Sequence, residues 1–401
     1  MTIRWVPGGV TAAKGFQASG VSAGIKRSRK PDLALVASDL PAVCAGTLTK
    51  NRVQAAPVVL SRLRLKGGVA KAVLLNSGCA NCLTGEEGFQ DAVTLSRLVA
   101  QTLGVAEHQI LVASTGIIGR RLPLARMQRV VPLLVRRLSR AGHRQASEAI
   151  LTTDTRAKEA AAEGRIMGRL CRLGGMAKGS GMIAPAMATM LCVLTTDVAI
   201  EQGLLVELLQ HAIDGSFNQV SVDGDMSTND TVFLLANGRS GVRVTGGGRA
   251  TNEFLHMLTQ VTQRLAYLVV RDGEGASRVA TIEVVGARST KDALACARRV
   301  ATSTLVKTML ASGDPNVGRI AAAVGSSGAR LRPEELEIRI DGHPVVRRGV
   351  VQRLGTTLSR RLFAPRELVI QIHLHAGRAE AHLLTCDLTE DYVRLNARYP
   401  T

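Results

Sequence analysis

Gly174-Gly-Met-Ala-Lys-Gly-Ser-Gly-Met-Ile-Ala-Pro-Ala-Met-Ala-Thr-Met-Leu191 surrounds one lysine with glycines and ends in a threonine followed by apolar residues. Three readings compete for it. A phosphate cradle places Gly-Lys before Ser or Thr at a helix start, whereas here Lys178 precedes Gly179. A purely structural reading makes the tract a buried loop entering an apolar element. The third makes Thr189 a nucleophile. A threonine hydroxyl is inert near neutral pH without a base beside it, and an amino-terminal threonine supplies its own amine as that base. An internal threonine reaches that state only by losing everything before it. Ala184-Pro-Ala-Met-Ala188 is small enough for the hydroxyl to approach the Ala188 carbonyl for an acyl shift and hydrolysis. Lys178 would supply positive charge near a reacting anion.

The 401 residues suit one large domain or two ordinary ones. A hydrophobic fraction of 46% with 21% charged residues is that of a folded, soluble-type chain. Aromatics are only 2%, so the core must be built from aliphatic side chains. The net charge of +19 invites a nucleic-acid reading. Its form argues otherwise, because arginines are scattered from Arg4 to Arg398 with few aromatics among them for stacking. The clusters Lys26–Lys30 and Arg136–Arg140 are short, and the bland reading of the charge is a solvated basic surface, the intermediate one a general attraction for anionic small substrates.

Met1–Gly20 has no continuous apolar run, so no signal peptide is visible and a cytoplasmic location is expected. Gly179–Thr196 is the longest uncharged stretch, but Gly181 and Pro185 make it buried interior rather than a membrane span. Seven cysteines on so long a chain read as buried thiols. Cys79-Ala-Asn-Cys82 has redox or zinc spacing but no second pair, so no metal is expected.

Short apolar runs alternate with helical periodicity, which predicts a mixed α and β chain. Strands are expected at Ala72–Leu75, Gln109–Ala113, Thr231–Ala236, Thr281–Val285 and Leu368–Leu374. Helices are expected at Asp91–Leu103, Met127–Leu138, Gly203–Ile213, Asn252–Val269 and Ser289–Ser312. The only candidate boundary lies inside the tract between Lys178 and Leu191. Gly20-Val-Ser-Ala-Gly24 matches a serine-hydrolase elbow, but Phe16–Gly20 is weakly apolar and Lys26–Pro31 is a poor helix, so the required context is missing.

The tract resembles the self-cleavage signature of the ornithine acetyltransferase family. Family-like segments recur in order along essentially the whole chain: Asn51-Arg-Val, Asn76-Ser-Gly, Ser114-Thr-Gly-Ile-Ile-Gly119, Thr152-Thr-Asp-Thr155, Val222-Asp-Gly-Asp-Met-Ser-Thr-Asn-Asp-Thr231, Arg271-Asp-Gly-Glu-Gly-Ala276, Gly313-Asp-Pro-Asn316, Gly318-Arg-Ile320 and Tyr392-Val-Arg-Leu-Asn396. The resemblance implies an α+β fold, a four-layer αββα sandwich of mixed sheets assembled from two autoproteolytic fragments. These would be 1–188, carrying the oxyanion hole, and 189–401, beginning with the nucleophile Thr189. It further implies an acetyltransferase of arginine biosynthesis that moves acetyl from N2-acetyl-L-ornithine to L-glutamate. No cofactor is expected, acetyl-coenzyme A is a second candidate donor, and the fragments are expected as an α2β2 heterotetramer.

By the same resemblance, cleavage falls between Ala188 and Thr189, and Thr115 with Gly116 form the oxyanion hole. Thr152, Lys178, Thr189, Glu274, Asn396 and Thr401 contact substrate. Glu274 suits the cationic amine of ornithine and Lys178 an anionic group. Asp223, Asp225 and Asp230 lack the remaining spacing of a calcium loop and are assigned a structural role. The chain departs from the family pattern at Ala186, where Asn is usual, and at Cys79 and Cys82, in a segment that commonly reads Asn-Ala-Asn-Ala.

Overall fold

A computed structural model describes residues 2–184 and 190–398. Its organising element is the long strand Leu33–Leu48, whose register against Val69–Cys79 shifts between Ala37 and Ala42. Ahead of that irregularity the strand pairs with Phe16–Val21 and residues 72–76, and beyond it with Thr231–Ala236 and with Val69 and Ala70. Both halves therefore belong to one nine-stranded sheet.

Strand side chains alternate between faces, and here each face feeds a different core. Ala34, Val36, Val73, Leu75 and Leu111 from one half meet Met176, Val193, Phe233 and Leu235 from the other in a single cluster. Leu33, Leu35, Ala72, Leu74, Ile110 and Val112 point the opposite way, onto Leu95 and Val99 of helix Gly85–Leu103 and Met127 and Val131 of helix Leu124–Arg136. On the far side Cys192, Leu194, Val232 and Leu234 pack against helices Gln202–Asp214 and Gly248–Arg271. The order helix, sheet, sheet, helix is the expected αββα sandwich. As the scarcity of rings required, these cores are aliphatic, with Phe16, Phe217, Phe233 and Phe254 among the few large buried rings.

A second sheet of seven strands, centred on Val279–Ala287, Glu367–His373 and Ala379–Cys386, was not foreseen as a separate unit. Helices Thr290–Ala301, Thr304–Ser312 and Val317–Gly325 share its core. The short strand Val220–Ser221 runs parallel to Ala379–Cys386 and joins this sheet to the first part of the chain. The single helix expected over Ser289–Ser312 is two, because the Ser303 side chain accepts the Val306 N–H and starts a new helix there. Helix Leu124–Arg136 ends two residues before the expected Leu138 and contains Pro132. Among the described residues no helix is long and apolar enough to cross a membrane, and all seven cysteines are free and buried.

Phe233 is fully buried where the two halves of the sheet face each other. Phe233→Ala should therefore lower unfolding stability by about 3–5 kcal/mol, measured by chemical denaturation, because a cavity opens between layers that cannot collapse independently.

Candidate active site

The decisive tract lies at one end of this sandwich. Strand Arg169–Lys178 pairs antiparallel with Leu191–Thr196, and Lys178 stands opposite Leu191. Pro185, Ala186, Ala188 and Thr189 lie outside the described residues, but the chain on both sides is held. Asp223 accepts the N–H groups of Met182 at 2.6 Å and Ile183 at 2.8 Å. Asp230 accepts the Met190 N–H at 3.0 Å, and Met190 O accepts the Thr231 N–H. Both aspartates thus have the structural role expected of them. Asp230 is fully buried and its second carboxyl oxygen has no partner among the described residues. Burial drives its pKa well up, against the pull of the Met190 N–H and Lys178 towards the charged form.

Beside this end run the parallel strands Val69–Cys79 and Ile110–Ile117, whose register becomes irregular where Gly78 pairs with Gly116. Gly116 has φ +127°, and a Cβ there would lie 2.4 Å from the Gly78 carbonyl carbon, so only glycine fits. Side chains fix the crossing. Ser114 Oγ donates to Asn76 Oδ1 at 2.6 Å, and Asn229 Nδ2 donates to the carbonyls of Ala80 and Ser114, each at 2.8 Å.

Thr115, Gly116, Thr152, Lys178, Glu274 and Asn396 all line one cavity of about 810 Å³. Lys178 is buried and donates from Nζ to Thr152 Oγ1 at 2.8 Å. Asn396, on the C-terminal helix Glu390–Arg398, donates from Nδ2 to Glu274 Oε2 at 2.7 Å. A Cβ on Gly181 would lie 2.6 Å from that Glu274 carboxyl group, so the glycine leaves the acid its place. Thr401 lies outside the described residues. The cavity is thus lined by a strand-end glycine, a buried ammonium and a carboxylate-amide pair.

The model of the ArgJ family matches residues 17–401. The chain belongs to the ArgJ family. The arginine biosynthesis bifunctional protein ArgJ of Thermosynechococcus vestitus is 44% identical over 413 residues, covering 99% of each chain. That of Symbiobacterium thermophilum is 44% identical over the full length of both. The glutamate N-acetyltransferase of Methanocaldococcus jannaschii is 42% identical over 417 residues, again covering all of both.

Other residues around the site of this ArgJ-family chain carried no role in the sequence reading. Lys158 is wholly buried, with Nζ 2.6 Å from both Asp154 Oδ1 and Asp272 Oδ2. Asp154 also accepts the Gly179 N–H at 2.7 Å and lies 3.7 Å from Lys178. Burial alone would raise the Asp154 pKa, but Lys178 and Lys158 outweigh it and hold the carboxyl well below the usual carboxylate range. A lysine at an i, i+4 distance from an aspartate was the available signal, in a stretch read only as a motif. The cluster Lys26–Lys30, read as solvated surface, supplies Lys26, Arg27 and Lys30 to the cavity wall. Burial pulls the Lys26 pKa down to about 8, against the opposing attraction of Asp32 and Asp154. Ser22 of the elbow-like pattern is exposed, and a loop rather than a helix follows it.

Asp154→Asn leaves two buried lysines facing one carboxylate fewer and should cost about 3 kcal/mol at neutral pH. The native carboxyl is depressed, so its contribution is fully present above the unfolded aspartate value of about 3.9 and fades as pH falls from there through the lower folded value. Denaturation of both proteins across pH 3–7 should show the difference shrinking only at the acid end.

Proposed function

We propose that this chain is an amino-terminal-threonine acetyltransferase moving acetyl from N2-acetyl-L-ornithine to L-glutamate in arginine biosynthesis. The observation that carries the reading is the convergence of Thr115-Gly116, Lys178 and the Glu274–Asn396 pair on one cavity, at the end of the strand that Thr189 and Met190 lead into. The Ala188–Thr189 bond is cut first, giving fragments 1–188 and 189–401. The freed α-amine of Thr189, with an unperturbed pKa of about 7.7–8.0, takes the hydroxyl proton as Oγ attacks the acetyl carbonyl. Thr115 and Gly116 stabilise the oxyanion, where donors aimed at developing negative charge are worth most. The C–N bond breaks, ornithine departs with the proton, and acetyl-threonine remains. Glutamate's amine then attacks that ester and regenerates Thr189.

Thr152, Lys178, Glu274, Asn396 and Thr401 hold the amino acids, Glu274 facing the donor's cationic side chain. The reaction as proposed uses no cofactor, and the fragments assemble as an α2β2 heterotetramer in the cytoplasm. The word bifunctional in the names of the Thermosynechococcus and Symbiobacterium relatives favours acetyl-coenzyme A as a second donor. An assay with each donor separately, and glutamate as acceptor, decides between one activity and two.

Denaturing electrophoresis of the purified protein should show two fragments, the second beginning at Thr189 by amino-terminal sequencing, while Thr189→Ala stays whole. An intact wild-type chain rules out the mechanism. In steady-state kinetics, double-reciprocal plots at several glutamate concentrations should be parallel, since ornithine leaves before glutamate arrives. Intersecting lines with no acetyl mass on the second fragment would mean direct transfer instead.

A further inference from the structure

The two amino acids of the proposed reaction have side chains of opposite charge, a δ-ammonium on ornithine and a γ-carboxylate on glutamate. One charged contact cannot serve both. Glu274, which suits the ammonium, repels a carboxylate brought against it. We propose that the basic wall formed by Lys26, Arg27, Lys30 and Arg120 is a separate subsite that takes the side-chain carboxylate of the acceptor. This rests on the acetyl-transfer reading of the cavity.

The wall is built, not merely charged. Asp32 is fully buried and its carboxylate accepts the N–H groups of Ala23 at 2.6 Å, Ile25 at 2.7 Å and Lys26 at 3.0 Å. That anchor fixes the path of the loop 22–32 as it enters the cavity. Lys26 Nζ donates to Pro31 O at 2.8 Å, within the same loop. The stem of Lys26 packs on Gly78, where a Cβ would lie 3.1 Å from its Cγ, and Gly78 pairs with Gly116. The basic wall therefore adjoins the strand end that carries Thr115 and Gly116.

The cavity's own carboxylates are already engaged. Asp154 serves Lys158 and Lys178, Glu274 accepts from Asn396, and Glu148 pairs with Arg144 at 3.0 Å. Arg27, Lys30 and the side chain of Arg120 have no hydrogen bond or ion pair among the described residues, although all three line the cavity and are exposed to solvent. Three unpaired cations on one wall await an anion that arrives with the substrate. A guanidinium matches a carboxylate in two parallel hydrogen bonds, and about 810 Å³ leaves room for ornithine and glutamate to direct their side chains differently.

The test separates the half-reactions. Arg120→Ala and the double variant Arg27→Ala/Lys30→Ala change exposed side chains, and unaltered thermal unfolding checks that the fold survives. Each should raise the glutamate KM about tenfold, the worth of a partly solvated charge-assisted hydrogen bond. The burst of ornithine released from N-acetylornithine without glutamate should keep its rate and amplitude within about twofold. The preference for glutamate over uncharged glutamine should shrink in proportion. An unchanged glutamate KM, an equal rise for both amino acids, or an effect confined to acetyl-coenzyme A as donor would overturn the subsite, the last assigning the wall to phosphates. A wild-type protein that releases no ornithine overturns the acetyl-transfer reading itself, and the subsite with it.

Discussion

The architecture around the cavity depends on one buried arrangement, the Lys158 ammonium held between Asp154 and Asp272. An unpaired charge in a protein interior costs several kcal/mol, so each member is tolerable only while the others stay in place. The members come from separated segments. Asp154 sits in the loop that bears Thr152, Lys158 begins the strand Lys158–Ile166, and Asp272 closes helix Gly248–Arg271 two residues before Glu274. Asp272 also accepts hydrogen bonds from the N–H and hydroxyl of Thr155. Through Asp154 the network reaches the Gly179 N–H and Lys178. One electrostatic knot therefore sets the relative positions of Thr152, Lys178 and Glu274.

The knot fixes one side of the cavity, and close backbone approach fixes the other. Gly116 against Gly78 admits no side chain, and the amide of Asn229 bonds two carbonyls there at once. The Gly116 backbone is held rigidly there. That rigidity comes from the close glycine contact and the Asn229 amide.

Elements whose pattern is local were legible in the sequence. Thr231–Ala236 is a strand with the expected bounds because its apolar run is buried on both faces. The helices within Gly85–Leu103 and Gly248–Arg271 carry periodic apolar stripes long enough to read. The strands Lys158–Ile166 and Arg169–Lys178 were not read, since glycines and charges interrupt their alternation, and pairing with neighbours rather than propensity makes them strands. The same limit holds in the site. Thr115, Lys178 and Glu274 could be picked out because each sits in a long motif, whereas Lys158 and Asp272 acquire meaning only from a pairing 114 residues apart.

Charge shows the difference most clearly. Composition presents a surplus of 19 positive charges and cannot say where it falls. Ion pairing leaves that surplus untouched, since each pair, as in Arg121 with Asp91 or Arg172 with Glu163, joins a cation to an acid already counted against it. Cations paired in this way gather no ligand. A basic run acquires chemical meaning where the fold closes a cavity behind it and spends the neighbouring carboxylates elsewhere. At Lys26–Lys30 both conditions hold, because Asp32 is consumed by backbone N–H groups and Asp154 by lysines. Scattered arginine and a shaped anion site are therefore indistinguishable in composition, and the partners of the nearby acids separate them.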